Sequence, residues 1–223
     1  MTTRAALVAA LVVLVASTAS AQTDPPLHRL QLGAGVGFVG GAALGDADAN
    51  LRTATADPFR LFATSTEQAG TIGLDLHAAV DLTRRFGVEA HTLFARPEVS
   101  TSVTNDAENA PAIDAVEQLD QYLIDGGVVI RLNEFRMGDW VPFATAGAGY
   151  LRQLHEGLTL SEHGHLFYFG GGVRHALLVR PTGLLRSLGV RGDVRLDILS
   201  DGITIEDKTR KHLSVRGSLF VVF

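Results

Sequence analysis

The chain contains no cysteine, which removes both a disulfide framework and a thiolate metal site. Lysine is nearly absent. Lys208 and Lys211 are the only two, and every other basic side chain is arginine. A water-facing globular surface is ordinarily rich in Lys and Glu, so this chain has less of that surface, unless an arginine-favouring codon usage gives the same count. Excess positive charge is missing as well. The formal net charge is -5 over 223 residues, which leaves no electrostatic footprint for a nucleic-acid partner. Long apolar runs are absent beyond Ala5–Ala16, and that run is shorter than the roughly 20 residues a helix needs to cross a bilayer.

Residues 1–21 read as a secretory signal peptide. Arg4 precedes the apolar run, and Ala19-Ser20-Ala21 forms a small-residue cleavage site before Gln22. Pro25 and Pro26 block helical continuation. The mature domain expected is 22–223, exported across the inner membrane of a Gram-negative-type cell.

What remains has the period of β-strands. Eight segments alternate apolar and polar or glycine positions: about His28–Gly40, Thr71–Leu82, Phe86–Phe94, Leu119–Leu132, Trp140–Leu151, His165–Val179, Val190–Leu199 and His212–Phe223. In the seventh, Val190, Gly192, Val194, Leu196 and Ile198 alternate with Arg191, Asp193, Arg195 and Asp197. The fifth allows either parity. Placing its glycines inside puts Trp140 and Tyr150 outside and sends Arg152 outward with them. Gly41–Ala69 reads as a long polar loop, with Pro58–Thr66 as a possible short helix or strand extension. Arg96–Glu117 reads as a long acidic connection containing Glu98, Asp106, Glu108, Pro111 and Asp114.

The connections alternate long and short, which is the rhythm of transmembrane barrels with long outer loops and short periplasmic turns. An even strand count puts both termini in the periplasm. The fold expected is all-β: an antiparallel, eight-stranded, up-and-down transmembrane β-barrel. A soluble lipocalin-type barrel would have the same alternation with its faces exchanged. Three features favour the membrane arrangement. The charged face is rich in glycine, which suits a crowded interior. Its Arg residues are nearly balanced by Asp and Glu, as a sealed lumen requires. And the last strand is apolar and aromatic to Phe223.

With the strands placed, the chain resembles the small eight-stranded outer-membrane barrels of the OmpA/OmpX type. The resemblance rests on the ending Ser218-Leu219-Phe220-Val221-Val222-Phe223, the strand from Pro142-Phe143 to Gly149-Tyr150, and Gly170-Gly171-Gly172-Val173-Arg174. It implies an insertion signal at Val215, Gly217, Leu219, Val221 and Phe223, read by the barrel-insertion machinery. No peptidoglycan-binding domain is expected after the barrel. It also implies residence in the bacterial outer membrane among lipid and lipopolysaccharide, as a monomer whose loops can meet an extracellular partner.

The candidate lumen set is Asp75, His77, Asp81, Glu89, His91, Asp125, Arg131, Arg174, Arg191, Asp193, Arg195, Asp197 and Arg216. Eight strands leave an interior that side chains fill, so the set reads first as a salt-bridged plug and second as a conduction path. His77 and His91 could form a metal or acid–base pair, but the sequence gives them no motif. Ser161-Glu162-His163 is adjacent in sequence, which is not the spatial arrangement of a triad. No cofactor, metal or catalytic residue is expected. Candidate membrane-interface aromatics are Phe38, Phe86, Phe94, Tyr122, Trp140, Tyr150, Phe167 and Phe223. The function expected is non-enzymatic, structural or adhesive. The alternatives are a small porin-like channel and an outer-membrane enzyme acting on lipid A or peptides.

Overall fold

The computed structural model of the chain describes residues 29–51, 59–104, 111–155, 160–180, 183–201 and 209–223. The leader at 1–21, together with Pro58, Asp106, Glu108 and Glu156, lies outside the described residues. In chain order the strands are β1 (Arg29–Val39), β2 (Ala42–Leu51), β3 (Phe59–Gln68), β4 (Thr71–Asp81), β5 (Phe86–Ala95), β6 (Glu98–Thr104), β7 (Ile113–Gln118), β8 (Asp120–Arg131), β9 (Trp140–Leu154), β10 (Ser161–Val179), β11 (Ser187–Asp201) and β12 (Arg210–Val222).

Eight of these strands close into an antiparallel barrel, in the order β1-β12-β11-β10-β9-β8-β5-β4. The barrel is up-and-down, and it closes where β1 pairs on one side with β12 and on the other with β4. Gln31 lies opposite Val222 and Ala79, and Phe38 opposite Val215 and Ile72. The start of β1 and the end of β12 therefore lie at one rim, the terminus rim. This closure satisfies the backbone groups of every barrel strand on both sides.

Side-chain alternation has a clear outward sense. Leu32, Val36, Phe38, Ile72, Leu74, Leu76, Val88, Ile124, Val128, Phe167, Phe169, Val194, Leu213, Val215 and Leu219 are all exposed. They ring the barrel on seven of its strands, and Trp140 and Tyr150 supply the eighth, β9. On the outward positions of the barrel strands, charge occurs only at Asp120, Arg152 and Lys211, all at the rim remote from the termini. An apolar surface this continuous is far beyond the patches that monomeric soluble proteins expose. In β9 the glycines Gly147 and Gly149 face inward, while Trp140, Tyr150 and Arg152 face outward.

Two segments differ from their reading as loops. Gly41–Ala69 contains the hairpin β2–β3, and Arg96–Glu117 contains most of the hairpin β6–β7. The two hairpins join into a four-stranded sheet, β2-β3-β6-β7, at the rim remote from the termini. Its central pairing runs from Ala63 opposite Thr104 to Gln68 opposite Val99, across more than 30 residues of sequence. Short side chains and threonines fill it, and the Thr66 and Thr101 hydroxyls hydrogen-bond across it at 3.1 Å. Among the described residues its buried apolar cluster is Leu44, Val99 and Leu119. With so small an apolar face there was little period-2 signal to read. The barrel strands also run past the apolar stretches: β9 reaches Leu154, and β10 begins at Ser161.

Leu76 lies mid-strand in the belt, opposite Ala34 and Thr92. We expect Leu76→Arg to lower the folding free energy in phospholipid vesicles by about 2–4 kcal/mol. Lys211→Gln, at the remote rim, is expected to have little effect. Guanidinium titrations of vesicle-inserted protein measure both, and equal effects would contradict the assigned belt.

Candidate functional site

Strand pleating sends every second barrel residue inward, and the inward residues stack in three layers. The middle layer is charged and centres on Arg195, which is fully buried. Its Nε donates to Asp193 Oδ2 at 2.7 Å. Its terminal nitrogens donate to Asp125 at 3.3 Å, to Glu89 at 3.3 Å and to His91 Nε2 at 2.9 Å. Arg191 donates to Glu89 Oε2 at 2.7 Å and to Asp193 Oδ1 at 3.1 Å. Arg216 reaches Asp75 at 3.2 Å and Asp125 at 3.4 Å. The Thr145 hydroxyl donates to Glu89 Oε1 at 2.6 Å.

These bonds cross the lumen. β11 supplies Arg191, Asp193 and Arg195, while Glu89 and His91 come from β5 on the far wall. The i, i+2 spacing along β11 places its arginines and carboxylates on one face. Arg is suited to this role because one planar guanidinium serves several carboxylate oxygens at once. Asp197 also points inward and is buried, but its carboxylate has no hydrogen-bond partner among the described residues.

The layer toward the termini holds the remaining candidates in a different arrangement. Arg131 pairs with Asp81, and Arg174 stacks over Phe220, its Cζ 5.6 Å from the ring centre. Arg191 lies over the Phe143 ring at 4.4 Å and links this layer to the middle one. Arg131 and Arg174 thus lie outside the hydrogen-bonded network around Arg195.

The third layer, toward the remote rim, is apolar. Val39, Leu93, Leu123, Leu151, Leu166 and Leu199 pack with Tyr168. Above them Gln153 donates to Gln121 at 3.0 Å, and Gln68 donates to Gln121 at 3.3 Å. This lid was not singled out from the sequence, although the inner phase of the four neighbouring strands β5, β8, β9 and β10 carries Leu93, Leu123, Leu151 and Leu166, one on each. Voids between the layers are small, about 20 Å³ beside Gln31, Ala79 and Arg131 and about 10 Å³ beside Gln68, Leu123 and Leu199. The first holds about one water molecule.

Two inward glycines make this packing possible. A Cβ on Gly33 would lie 2.1 Å from His77 Cε1, and one on Gly147 would lie 2.7 Å from the Tyr168 ring. Tyr168 in turn carries the Arg195 guanidinium over its face at 4.6 Å.

Asp75, His77 and His91 offer ligand atoms within 4.8 Å of one another. His77 and His91 are directly opposed across β4 and β5, with rings stacked at 5.1 Å. The cluster is nevertheless held by cations: Arg216 on Asp75 and Arg195 on His91. These guanidiniums already supply the positive charge that a metal ion would bring, which favours an ion-pair role for the cluster. At the surface, His163 faces the Ser161 hydroxyl at 3.4 Å, and its other ring nitrogen meets the Tyr150 hydroxyl. Among the described residues, the two ring nitrogens of His163 meet hydroxyls and not a carboxylate, which is not the arrangement of a triad.

The aromatic candidates all lie on the outer face. Phe38, Phe94, Tyr122 and Tyr150 are near the remote rim, with Phe94 and Tyr122 in contact at 5.0 Å between ring centres. Phe86, Trp140 and Phe223 are near the terminus rim, where Trp140 stacks on His175 at 4.6 Å. Phe167 lies between, opposite Ala148 and Ile198. Val215, Gly217, Leu219 and Val221 share the outer face of β12.

Barrel order, outward belt and polar interior together define the fold of the small eight-stranded outer-membrane barrels. Among solved structures, the chain is similar to the outer membrane protein OprG from Pseudomonas aeruginosa. The TM-score is 0.53 at 9% identity, covering 89% of this chain and 97% of that one. The attachment invasion locus protein Ail of Yersinia pestis aligns with a TM-score of 0.45 at 12% identity, over 88% of this chain and 99% of Ail. Its complex with the heparin analogue sucrose octasulfate aligns with a TM-score of 0.46, at the same identity and coverage. No protein-family model and no curated protein matches the chain.

Removing Arg195 leaves Asp193, Asp125 and Glu89 short of a buried partner. We expect Arg195→Ala to cost about 3–5 kcal/mol in detergent unfolding titrations. The pair Arg195→Ala, Asp193→Ala should cost less than the two single changes added together. Strict additivity would show that the two residues do not act as one network.

Proposed function

We propose that this protein is an integral outer-membrane barrel without enzymatic activity, that its lumen is closed to solutes, and that its work is done at the membrane surface. The observation that carries the reading is the opposition of the two barrel faces. The outer face is an uninterrupted apolar belt, which fits hydrocarbon. The inner face carries a layer of linked ion pairs between an apolar layer and an arginine–aromatic layer, and the voids beside them are water-sized. A polar interior of this kind stabilises a narrow barrel without a path through it. The signal-peptide pattern at 1–21 and the insertion signal ending in Phe223 supply the route to that membrane and the recognition by its insertion machinery.

The β2-β3-β6-β7 sheet stands above the belt and gives the protein a folded platform at the cell surface. Its acidic side chains include Asp46, Asp48, Glu67, Glu98, Asp114 and Glu117. Lipopolysaccharide bridged by divalent cations, or an extracellular partner, is the contact that such a platform fits. Monomeric behaviour follows from a barrel with every strand paired.

Planar-bilayer recording decides between this reading and a pore. The expected result is electrical silence across salts and voltages, with heat-modifiable migration confirming that the barrel is folded. Discrete, reproducible conductance steps would make the protein a channel. Lipid A and peptide substrates incubated with the folded protein should be recovered unchanged, and modification of either would establish an enzyme.

A further inference from the structure

The rim that carries the termini has a different electrostatic character from the rest of the barrel. Two adjoining recesses open there. One, of about 370 Å³, is lined by Arg29, Arg84, Arg131, Arg136 and Arg174, with Asp81 facing them. The other, of about 410 Å³, shares Arg136 and Arg174 and adds Asp139 and the apolar residues Ala176, Leu177 and Val179. Among the described lining residues, five guanidiniums face two carboxylates. Both carboxylates are already engaged, Asp81 by Arg131 and Asp139 by Arg136. Glu134, nearby, is held by Arg85.

Arg29 and Arg174 have no carboxylate partner among the described residues. Arg174 is half-buried on the Phe220 ring, and the Nε of Arg131 is buried without a hydrogen-bond partner. Like charges gathered in a half-desolvated recess repel one another, and the arrangement is relieved by an anion. Convergent guanidinium forks match the several oxygens of a phosphate group better than the two of a carboxylate. The apolar wall formed by Ala176, Leu177 and Val179 would lie beside such a group. β10 has a register shift between Ala176 and Leu178, which leaves Leu177, Leu178 and Val179 all exposed.

We propose that this mouth binds a phosphate-bearing anion, held by Arg29 and Arg174 and backed by Arg131 and Arg136. A free phosphate compound and a phospholipid headgroup share the chemistry. The lipid source rests on the outer-membrane reading above, whereas the anion site itself rests only on the barrel.

Two measurements on the full mature barrel test the proposal. Calorimetric titration of inorganic pyrophosphate into protein in a non-ionic detergent should show saturable binding. The combined Arg29→Gln, Arg174→Gln variant should weaken it by roughly tenfold or more, since two charge-assisted contacts are lost. Arg152→Gln, at the opposite rim, should leave it unchanged. In the second measurement, protein reconstituted with phosphatidylglycerol and phosphatidylcholine is released into detergent and its retained lipid is identified. Retained phosphatidylglycerol that pyrophosphate displaces identifies the lipid source, and pyrophosphate binding without retained lipid identifies the free anion. Arg29 is exposed at the first position of β1, so Arg29→Gln alone serves if the double variant does not fold. Absence of both binding and retained lipid, or equal weakening by Arg152→Gln, would overturn the site. Neither result bears on bilayer insertion, which vesicle incorporation reports separately.

Discussion

The pairing of β1 with β12, the first strand with the last, is the constraint on which the rest of the molecule depends. A strand edge left open in hydrocarbon would strand a row of amide and carbonyl groups without partners, at several kcal/mol each. Closure removes that cost and also fixes the circumference at eight strands. The circumference then dictates the interior. Eight strands leave room for side chains and little else, so the inward positions must fill the space completely. Glycines accept the closest approaches, as at Gly33 under His77 and Gly147 under Tyr168. The strands are polar on that face, so the filling must also neutralise itself.

Arg195 shows how the neutralisation is achieved. One guanidinium is shared among Asp193, Asp125, Glu89 and His91, from three different strands. Arg191 adds a second donor to Glu89 and Asp193, and Arg216 extends the sharing to Asp75. A network of this kind is a registry device as well as a source of cohesion. Sliding β11 by one residue would send its charges into the belt and its valines into the lumen. The leucine layer above and the Phe143–Phe220 layer below shield these ion pairs from water, which strengthens each of them.

The barrel was legible in the sequence because membrane strands carry a two-sided instruction. Apolar residues are required on one face and excluded from most of the other, so the strand count and the closed barrel could be read from alternation, with Asp75 to Arg216 as a candidate inward set. The internal order of that set could not. Arg131 and Arg174 have the same letter and the same parity as Arg195, yet they occupy a separate layer, because height along the barrel axis depends on the register between strands. The outer sheet was missed for a different physical reason. β3 pairs with β6 from another connection, and neither carries an apolar face long enough to show a period. Its stability comes from backbone bonds and threonine contacts, which leave little trace in composition.

The outer sheet has one consequence for how this protein meets other chains. A closed barrel has no edges, but an open sheet has two, and here they are β2 and β7. The exposed hydrogen-bonding edges of this architecture therefore lie above the apolar belt, where water can satisfy them. β7 carries Asp114 and Glu117 beside exposed Ile113 and Val116. Like charges discourage two copies from zipping together along that strand. The edge that faces water is thus guarded against self-association by its own charge.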